Sequence, residues 1–409
     1  MDAKEMTKLE KYWVLYDVGN SAFTLLVATI IPIYFNYLAG EAGISEVDYL
    51  AYWGYAASVA TLLVAFLGPV FGTLADTRGF KKPVFTVSLA VGVAGLCFLA
   101  VPDTWFAFLA IFLIAKVGYS CSLVFYDAML SDVTTPERMD TVSSQGYAWG
   151  YIGSCIPFIA SLVIVLFSGL PMRTAMAFAF FLNGAWWLLT TVPLLKNYRQ
   201  IYYTPRKEHA FRETFARLLC VFREIRKEPK IFFFLIAFFF YIDGVYTIID
   251  MATAFGSALG FTSTTLLLAL LLTQIVAFPF ALLFGYLAPK YENGKLIRIC
   301  ILAYGAIALF AIQLDKSWEF WFLAVCVGMF QGGIQALSRS YFAKIIPAEK
   351  AGEYFGLYDI FGQGAAFMGT TLVGIGAQVT GSLNAGVSVI FALFVVGYFL
   401  FEKAVRMNK

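Results

Sequence analysis

Charged residues are scarce in this sequence. Only 13% of its 409 residues are Asp, Glu, Lys or Arg, compared with about a quarter in an average soluble protein. Hydrophobic residues make up 60%, and Phe alone occurs 42 times. Too little polar surface remains to cover a soluble fold, so the natural solvent for these side chains is lipid. The composition predicts an all-α membrane protein with many spans.

Residues typical of catalytic and metal sites are also scarce. The one histidine, His209, lies in a charged loop, and the six cysteines are scattered without paired spacing. The sequence contains no Walker loop, nucleotide fold, zinc pair or Ser-His-Asp set. We therefore expect no enzymatic activity, no cofactor, no metal site and no nucleic-acid partner.

Long apolar runs dominate what is present. A lipid-spanning helix needs about 20 apolar residues, because its backbone must satisfy its hydrogen bonds internally. Twelve such runs are visible, six on each side of a polar stretch near 196–230. They lie near 12–38, 51–75, 83–101, 104–130, 143–167, 173–195, 231–258, 264–288, 296–314, 318–344, 352–379 and 383–402.

The positions of the basic residues support this count. If both termini are cytoplasmic, all 29 basic residues lie in cytoplasmic segments except Lys116, Arg173 and Lys316. Such an excess of Lys and Arg on one side is the positive-inside pattern. It predicts an integral membrane protein with cytoplasmic termini.

The two halves resemble each other weakly. The residues Phe71-Gly72-Thr73-Leu74-Ala75 precede a short basic turn, and Phe284-Gly285-Tyr286-Leu287-Ala288 do the same 213 residues later. Pro136 follows the fourth span as Pro347 follows the tenth, 211 residues apart. A near-constant offset indicates duplication, with a solute path at the interface of two bundles. We predict six-helix bundles at 1–195 and 231–409, with a cytoplasmic linker at 196–230.

The linker carries its own pattern. Apolar residues recur at helical spacing between charged ones and predict an amphipathic helix along the membrane surface. We expect it to tether the two bundles more than to regulate them. The apolar residues are Phe211, Phe215, Leu218, Phe222 and Ile225.

The turn after the second span carries a family motif. It reads Gly72-Thr-Leu-Ala-Asp76-Thr-Arg78-Gly79-Phe-Lys81-Lys82. It resembles the major facilitator superfamily signature, with Thr77 and Phe80 where bases are usual. Asp76 could complement the positive end of a helix, and Gly79 permits a tight turn. The resemblance implies that this helix is the eleventh, and that the contact locks a gate.

Four further stretches are similar to one branch of that superfamily, the vacuole-effluxer-like transporters related to autophagy-associated amino-acid exporters. The first departs from the family pattern, with Val18-Gly19 where Trp-Ala is usual. The resemblance implies a major facilitator fold and export or exchange of small solutes such as amino acids. We expect a bacterial inner (plasma) membrane location. The stretches are Tyr16–Phe23, Ser143–Gly153, Gly332–Ser340 and Phe355–Asp359.

Two ionisable residues lie near the middle of their spans. Such residues cost at least ~2.5 kcal/mol each on insertion scales, so they are functional candidates. Lys116 lies in the fourth span and Asp243 in the seventh, and the major facilitator plan places both spans beside the cavity. Lys116 could bind the carboxylate of a zwitterion and Asp243 its amine, or the two could form an ion pair that breaks on gating.

Other polar residues are weaker candidates. Asp17, Asp127 and Asp250 could carry protons with Asp243, although Asp17 and Asp127 could simply form gate salt bridges. In the tenth span, Gln331 and Gln335 share a polar stripe with Arg339, for which we predict a gate role. Asn20, Tyr119 and Tyr246 complete the substrate-binding prediction, and Arg78, Gly79 and Lys81 join Asp76 in the gating motif.

We therefore predict a secondary active transporter that moves a small solute by alternating access, with ion or proton coupling. Its expected partners are the small-molecule substrate and membrane lipids, and we expect a monomer. Two alternatives remain open. One is a transporter-like membrane receptor, against which no soluble output domain is visible. The other is a lipid or lysolipid transporter, which the many Phe residues would suit.

Overall fold

Helices account for nearly all of the described residues. The computed structural model describes residues 5–205, 225–258, 260–314, 316–380 and 383–407. The first half contains α1 (Lys8–Ala28), α2 (Ile30–Glu41), α3 (Glu46–Asp76), α4 (Lys81–Cys97), α5 (Trp105–Ala128), α6 (Leu130–Val133), α7 (Met139–Phe167) and α8 (Met172–Asn197). The second half contains α9 (Pro229–Ala258), α10 (Ser263–Leu287), α11 (Asn293–Ala311), α12 (Ser317–Ile345), α13 (Ala351–Thr380) and α14 (Leu383–Arg406).

The helices follow the predicted apolar runs. Within the described residues, 10 helical segments are long and apolar enough to cross a membrane, with α1 and α2 taken together as one. Two further helices, α4 with 17 residues and α13 with 30, occupy the third and eleventh predicted spans. The arrangement is consistent with the predicted all-α major facilitator fold.

The first predicted span is broken at Thr29, between α1 and α2. Pro32 stands four residues after Ala28, so it can donate no hydrogen bond to the Ala28 carbonyl, and its ring crowds that group. Thr29 leaves the helical region with φ −137° and ψ −75°, and its hydroxyl donates to the Leu25 carbonyl. The span therefore bends where the proline disrupts its hydrogen bonding.

Side-chain caps fix several helix starts. Thr7 caps α1 in a capping box, because its hydroxyl accepts from the Glu10 N–H at 3.2 Å and the Glu10 carboxylate accepts from the Thr7 N–H at 2.7 Å. Ser45, Thr104 and Thr262 cap α3, α5 and α10 in the simpler way, with one hydroxyl accepting a backbone N–H.

The chain divides into two compact units. The first unit comprises the described parts of 1–133, 149–210 and 348–356, and the second comprises those of 134–148, 211–347 and 357–409. The start of α7 thus belongs to the second unit and the start of α13 to the first. The predicted division near residues 195 and 231 stays a prediction.

Each unit has its own core. In the first unit α1 packs on α8, α4 packs on α5 and α8, and α3 packs on α5. Trp13 stacks on Tyr126 there with ring centroids 4.2 Å apart. In the second unit α9 packs on α14, α10 on α12, and α11 on α12 and α14, with Phe234 stacked on Phe342. The predicted linker residues Phe211, Phe215, Leu218 and Phe222 lie outside the described residues.

Candidate functional site

Asp76 ends α3 and binds the start of α13 within the first unit. Its carboxylate is buried and accepts the backbone N–H of Gly352 at 2.7 Å and of Glu353 at 2.8 Å. The first N–H groups of a helix have no partner inside the helix, and a negative charge there also complements the helix dipole. Asp76 therefore complements α13, the eleventh predicted span, as the family resemblance implied.

Two glycines allow this close approach. A Cβ atom on Gly72 would collide with the carbonyl of Gly352, and a Cβ atom on Gly352 would collide with the carbonyl of Gly72 and lie 2.9 Å from an Asp76 carboxylate oxygen. Both obstacles include backbone atoms, which cannot rotate away. The crossing of α3 and α13 therefore requires glycine on both helices.

The turn after Asp76 holds the other predicted gating residues. Gly79 has φ +80°, which explains its place in the motif. Arg78 is exposed and its guanidinium lies 5.3 Å from the centre of the Tyr203 ring. Lys81 is fully buried, and its ammonium pairs with the Asp132 carboxylate at 2.9 Å. Of these two basic residues, Arg78 is therefore exposed and Lys81 is buried in an ion pair.

Asp132 organises the chain around Lys81. Its Oδ2 accepts from Lys81 Nζ and from the Tyr198 hydroxyl at 2.5 Å, while Oδ1 accepts the backbone N–H of Ile201 at 2.9 Å and of Tyr202 at 2.8 Å. Burial and the Asp132 charge raise the pKa of the Tyr198 phenol well above its usual value, so the phenol remains a donor. Both oxygens of this carboxylate are therefore hydrogen-bonded, and one of them is also paired with Lys81.

A second cluster around a single buried carboxylate, Asp140, lies at the start of α7, within the second unit. The buried Asp140 accepts from Asn293 Nδ2 at 2.5 Å and from the Ser340 hydroxyl at 2.6 Å through Oδ1, and from Lys344 Nζ at 2.5 Å through Oδ2. The partners come from the start of α11 and the end of α12. Asp140 therefore joins three helices.

Arg339 lies beside this cluster. It is buried, its Nε donates to the Ser143 hydroxyl at 2.9 Å, and one terminal nitrogen donates to the Ser143 carbonyl at 3.0 Å. Its guanidinium also lies 4.4 Å from the centre of the Tyr147 ring. These contacts link α12 to the start of α7, and the gate role of Arg339 stays a prediction.

Polar candidates in the first unit form a small group on α1 and α5. Asn20 donates to the Asp17 carboxylate at 3.2 Å, and both side chains are buried. One turn further along α1, the Thr24 hydroxyl is 2.7 Å from the Tyr119 hydroxyl. The Lys116 ammonium lies 5.3 Å from the centre of the Tyr119 ring. The structure thus brings Lys116, Tyr119 and α1 together, while Asp127 is half-buried near the end of α5.

Asp243 is fully buried in the second unit. Its Oδ1 accepts the backbone N–H of Gly369 at 2.8 Å and the Thr247 hydroxyl at 3.3 Å. Among the described residues, its Oδ2 has no hydrogen-bond partner. A carboxylate oxygen enclosed without a partner is unusual and costly.

The remaining candidates also lie in the second unit. Asp250 is exposed, two turns along α9 from Asp243, and Tyr246 is half-buried between them. Gln331 and Gln335 are buried on α12, and the Gln331 side-chain oxygen has no partner in the described part of the chain. Lys116 belongs to the first unit and Asp243 to the second, so their shared role stays a prediction.

Sequence reasoning missed Asp132, Asp140 and Gln200. The signal for the first two was an acid on each side of Pro136, at the ends of two spans. Gln200 carried no such signal, because its role depends on contacts with Ala75 and Gly79, which lie 125 and 121 residues earlier in the chain.

Comparison with known proteins identifies the family. A family described as vacuole effluxer Atg22 like matches residues 7–409. An MFS-type transporter of Bacillus subtilis (strain 168), YxiO, is 42% identical over 402 residues, which are 96% of this chain and 94% of YxiO. Autophagy-related protein 22 of Saccharomyces cerevisiae (strain S288c) is 23% identical over 93% of this chain and 77% of the yeast protein.

Solved structures show the same fold at low identity. The human organic anion transporter MFSD10 (TETRAN) is 16% identical, with a TM-score of 0.73 over 96% of this chain and 98% of that one. The transporter FucP, crystallised in an outward conformation, is 13% identical, with a TM-score of 0.74 over 97% of each chain. The chain therefore belongs to the vacuole effluxer Atg22-like family and is a membrane transporter of the major facilitator superfamily, not an enzyme.

Proposed function

We propose that this chain is a secondary active transporter that moves a small zwitterion, such as an amino acid, by proton-coupled alternating access. The main support is the buried Asp243 carboxylate, whose Oδ2 has no partner among the described residues. An uncompensated charge in an apolar interior is costly, so such a carboxylate is expected to take up a proton or a cationic ligand group. Both events are steps of coupled transport.

The charges of the two units suit the two ends of an amino acid. Lys116 in the first unit offers an ammonium beside the Tyr119 ring, and Asp243 in the second offers a carboxylate. The first would bind the carboxylate of the solute and the second its amine. Export of amino acids would also agree with the effluxer description of the family.

Access to Asp243 would be linked to movement of α13. The carboxylate is held by the Gly369 N–H, and even a Cβ atom on Gly369 would collide with Oδ1. We propose that α13 shifts at this point when a solute amine binds Asp243. Binding would then favour the shifted state by its differential affinity for the two states.

Two acidic contacts would act as gates on the cytoplasmic side. Asp76 holds the start of α13 in the first unit, and Asp140 holds α11 and α12 against the start of α7 in the second. Each uses one carboxylate and several donors, so each can break and reform as a unit. We propose that both contacts open and close once in every cycle.

A binding and exchange assay on Lys116→Ala tests the substrate proposal. Purified protein is screened by thermal shift against the common amino acids, and the best ligand is then measured by counterflow in liposomes. Loss of the ammonium should weaken binding about tenfold or more, because a hydrogen bond to a charged group contributes roughly 1.5–3 kcal/mol. Lys295→Ala is the matched control, since Lys295 is exposed and, among the residues that the structure describes, pairs only with Glu292 in the adjacent turn.

The same vesicles separate the lipid alternative. If no amino acid is bound or exchanged, while fluorescent phospholipids cross the bilayer equally fast with the wild type and with Lys116→Ala, the protein handles lipids and the proposal is wrong. Normal counterflow by Lys116→Ala would refute the assigned role of Lys116 alone.

A further inference from the structure

The chain does not leave the first unit when α8 ends. Residues 198–204, which we name the strap, run along the turn between α3 and α4 and hydrogen-bond to it at several points. This turn contains Asp76, whose side chain holds α13. The strap and α13 therefore bind the same short stretch of chain from two sides.

Backbone hydrogen bonds form the first connection. The Thr204 N–H donates to the Asp76 carbonyl at 2.7 Å, and the Arg78 N–H donates to the Thr204 carbonyl at 3.2 Å. Thr77 and Thr204 form a parallel β-bridge. These bonds fix the main chain of Asp76 and its neighbours, whatever their side chains.

Gln200 forms the second connection. Its Oε1 accepts the Gly79 N–H at 2.9 Å, and its Nε2 donates to the Ala75 carbonyl at 3.0 Å. One amide side chain thus bridges both ends of the turn that contains Asp76. Neither backbone group has a helical partner to replace Gln200, because α3 ends at Asp76 and α4 begins at Lys81.

Asp132 anchors the strap from the other side. Its Oδ1 accepts the N–H groups of Ile201 and Tyr202, and its Oδ2 accepts from the Tyr198 hydroxyl and the Lys81 ammonium. The strap, α4 and α6 are thereby joined through one buried carboxylate.

We propose that the strap positions Asp76 for its contact with α13, and that Gln200 is a positioning residue for gating. The main-chain carbonyl of Asp76 is held by the strap while its carboxylate holds two N–H groups of α13. Without the strap contacts the turn is free to move. The Asp76 carboxylate must then be ordered each time its contact with α13 forms. The gate then spends less time closed. This inference rests on the alternating-access function proposed above.

Amide hydrogen exchange tests the proposal directly and needs no substrate. The readout is the exchange rate of the peptide that contains Gly352 and Glu353, whose N–H groups Asp76 accepts. Gln200→Ala should speed this exchange roughly tenfold, because the closed contact would lose about the net stabilisation of one hydrogen bond. Asn197→Ala is the matched control, because Asn197 is exposed and, within the described part of the chain, donates only to the Pro193 carbonyl of α8.

A double-mutant cycle shows whether Gln200 acts through Asp76. Asp76→Ala alone should raise the exchange rate at least as much as Gln200→Ala, and Gln200→Ala should add nothing in the Asp76→Ala background. Additive effects, or unchanged exchange in a Gln200→Ala protein with normal melting, would overturn the proposal. If Gln200→Ala melts early, Gln200→Glu replaces it: the acceptor for Gly79 remains, and an intermediate rate is expected. Failure to find a transported solute would refute the proposed function but leave this result standing.

Discussion

At the scale of single residues, two buried carboxylates, Asp132 and Asp243, differ in how completely they are hydrogen-bonded. Asp132 is buried but saturated by Lys81, Tyr198 and two backbone N–H groups. Asp243 is equally buried and has one oxygen without a partner among the described residues. A fully hydrogen-bonded buried carboxylate is typical of a structural role, whereas an incompletely satisfied one is a candidate for a functional role. Sequence alone could not separate the two, because most of their partners lie far away in the chain.

Substituting the two members of the Lys81–Asp132 pair should lower the stability of the protein by unequal amounts. Asp132→Ala should destabilise the protein by about 3–5 kcal/mol, because it leaves a buried ammonium and two strap N–H groups without their acceptor. Lys81→Met should cost less, since Asp132 keeps three other donors. Denaturant unfolding in mixed micelles measures both. A larger loss for Lys81→Met than for Asp132→Ala would contradict the assigned role of Asp132.

At the scale of helices, the sequence predicted where spans lie but not how they bend or cross. Hydropathy located them because every residue of a run contributes to it. The break at Thr29 depends on one proline within an otherwise continuous run. The crossing of α3 and α13 depends on two glycines separated by most of the chain. Such contacts need three-dimensional proximity, which composition and periodicity do not provide.

The crossing predicts a contrast between two glycines of α3. Gly72→Ala places a methyl group against the Gly352 carbonyl and should push α3 and α13 apart, lowering stability by about 1–3 kcal/mol. Gly54→Ala meets open space and should be neutral or stabilising by up to about 1 kcal/mol, because alanine favours the helix. Thermal melting of the two purified variants compares them. Equal melting temperatures would show that the close crossing does not form.

At the scale of the whole molecule, length, charge placement and the internal repeat predicted a membrane protein of two six-span halves, and the resemblance of Gly72–Lys82 to the family signature pointed to the major facilitator superfamily. Those features are global, and a membrane imposes them strongly. The strap and the Asp140 cluster were missed because each is a local arrangement of ordinary residues. In the proposed function the choice of substrate is also a local property, set by the few groups that bind the solute. It therefore has to be established by measurement of flux.

Proton movement with solute tests the central claim most directly. Liposomes containing the protein and a trapped pH dye are given an amino acid that binds, and the internal pH is followed. The wild type and Asp48→Asn, a change at an exposed carboxylate bonded to Ser45, should both show a solute-dependent pH change. Asp243→Asn should show none. A normal pH change with Asp243→Asn, or none with the wild type during measurable solute flux, would contradict proton coupling through Asp243.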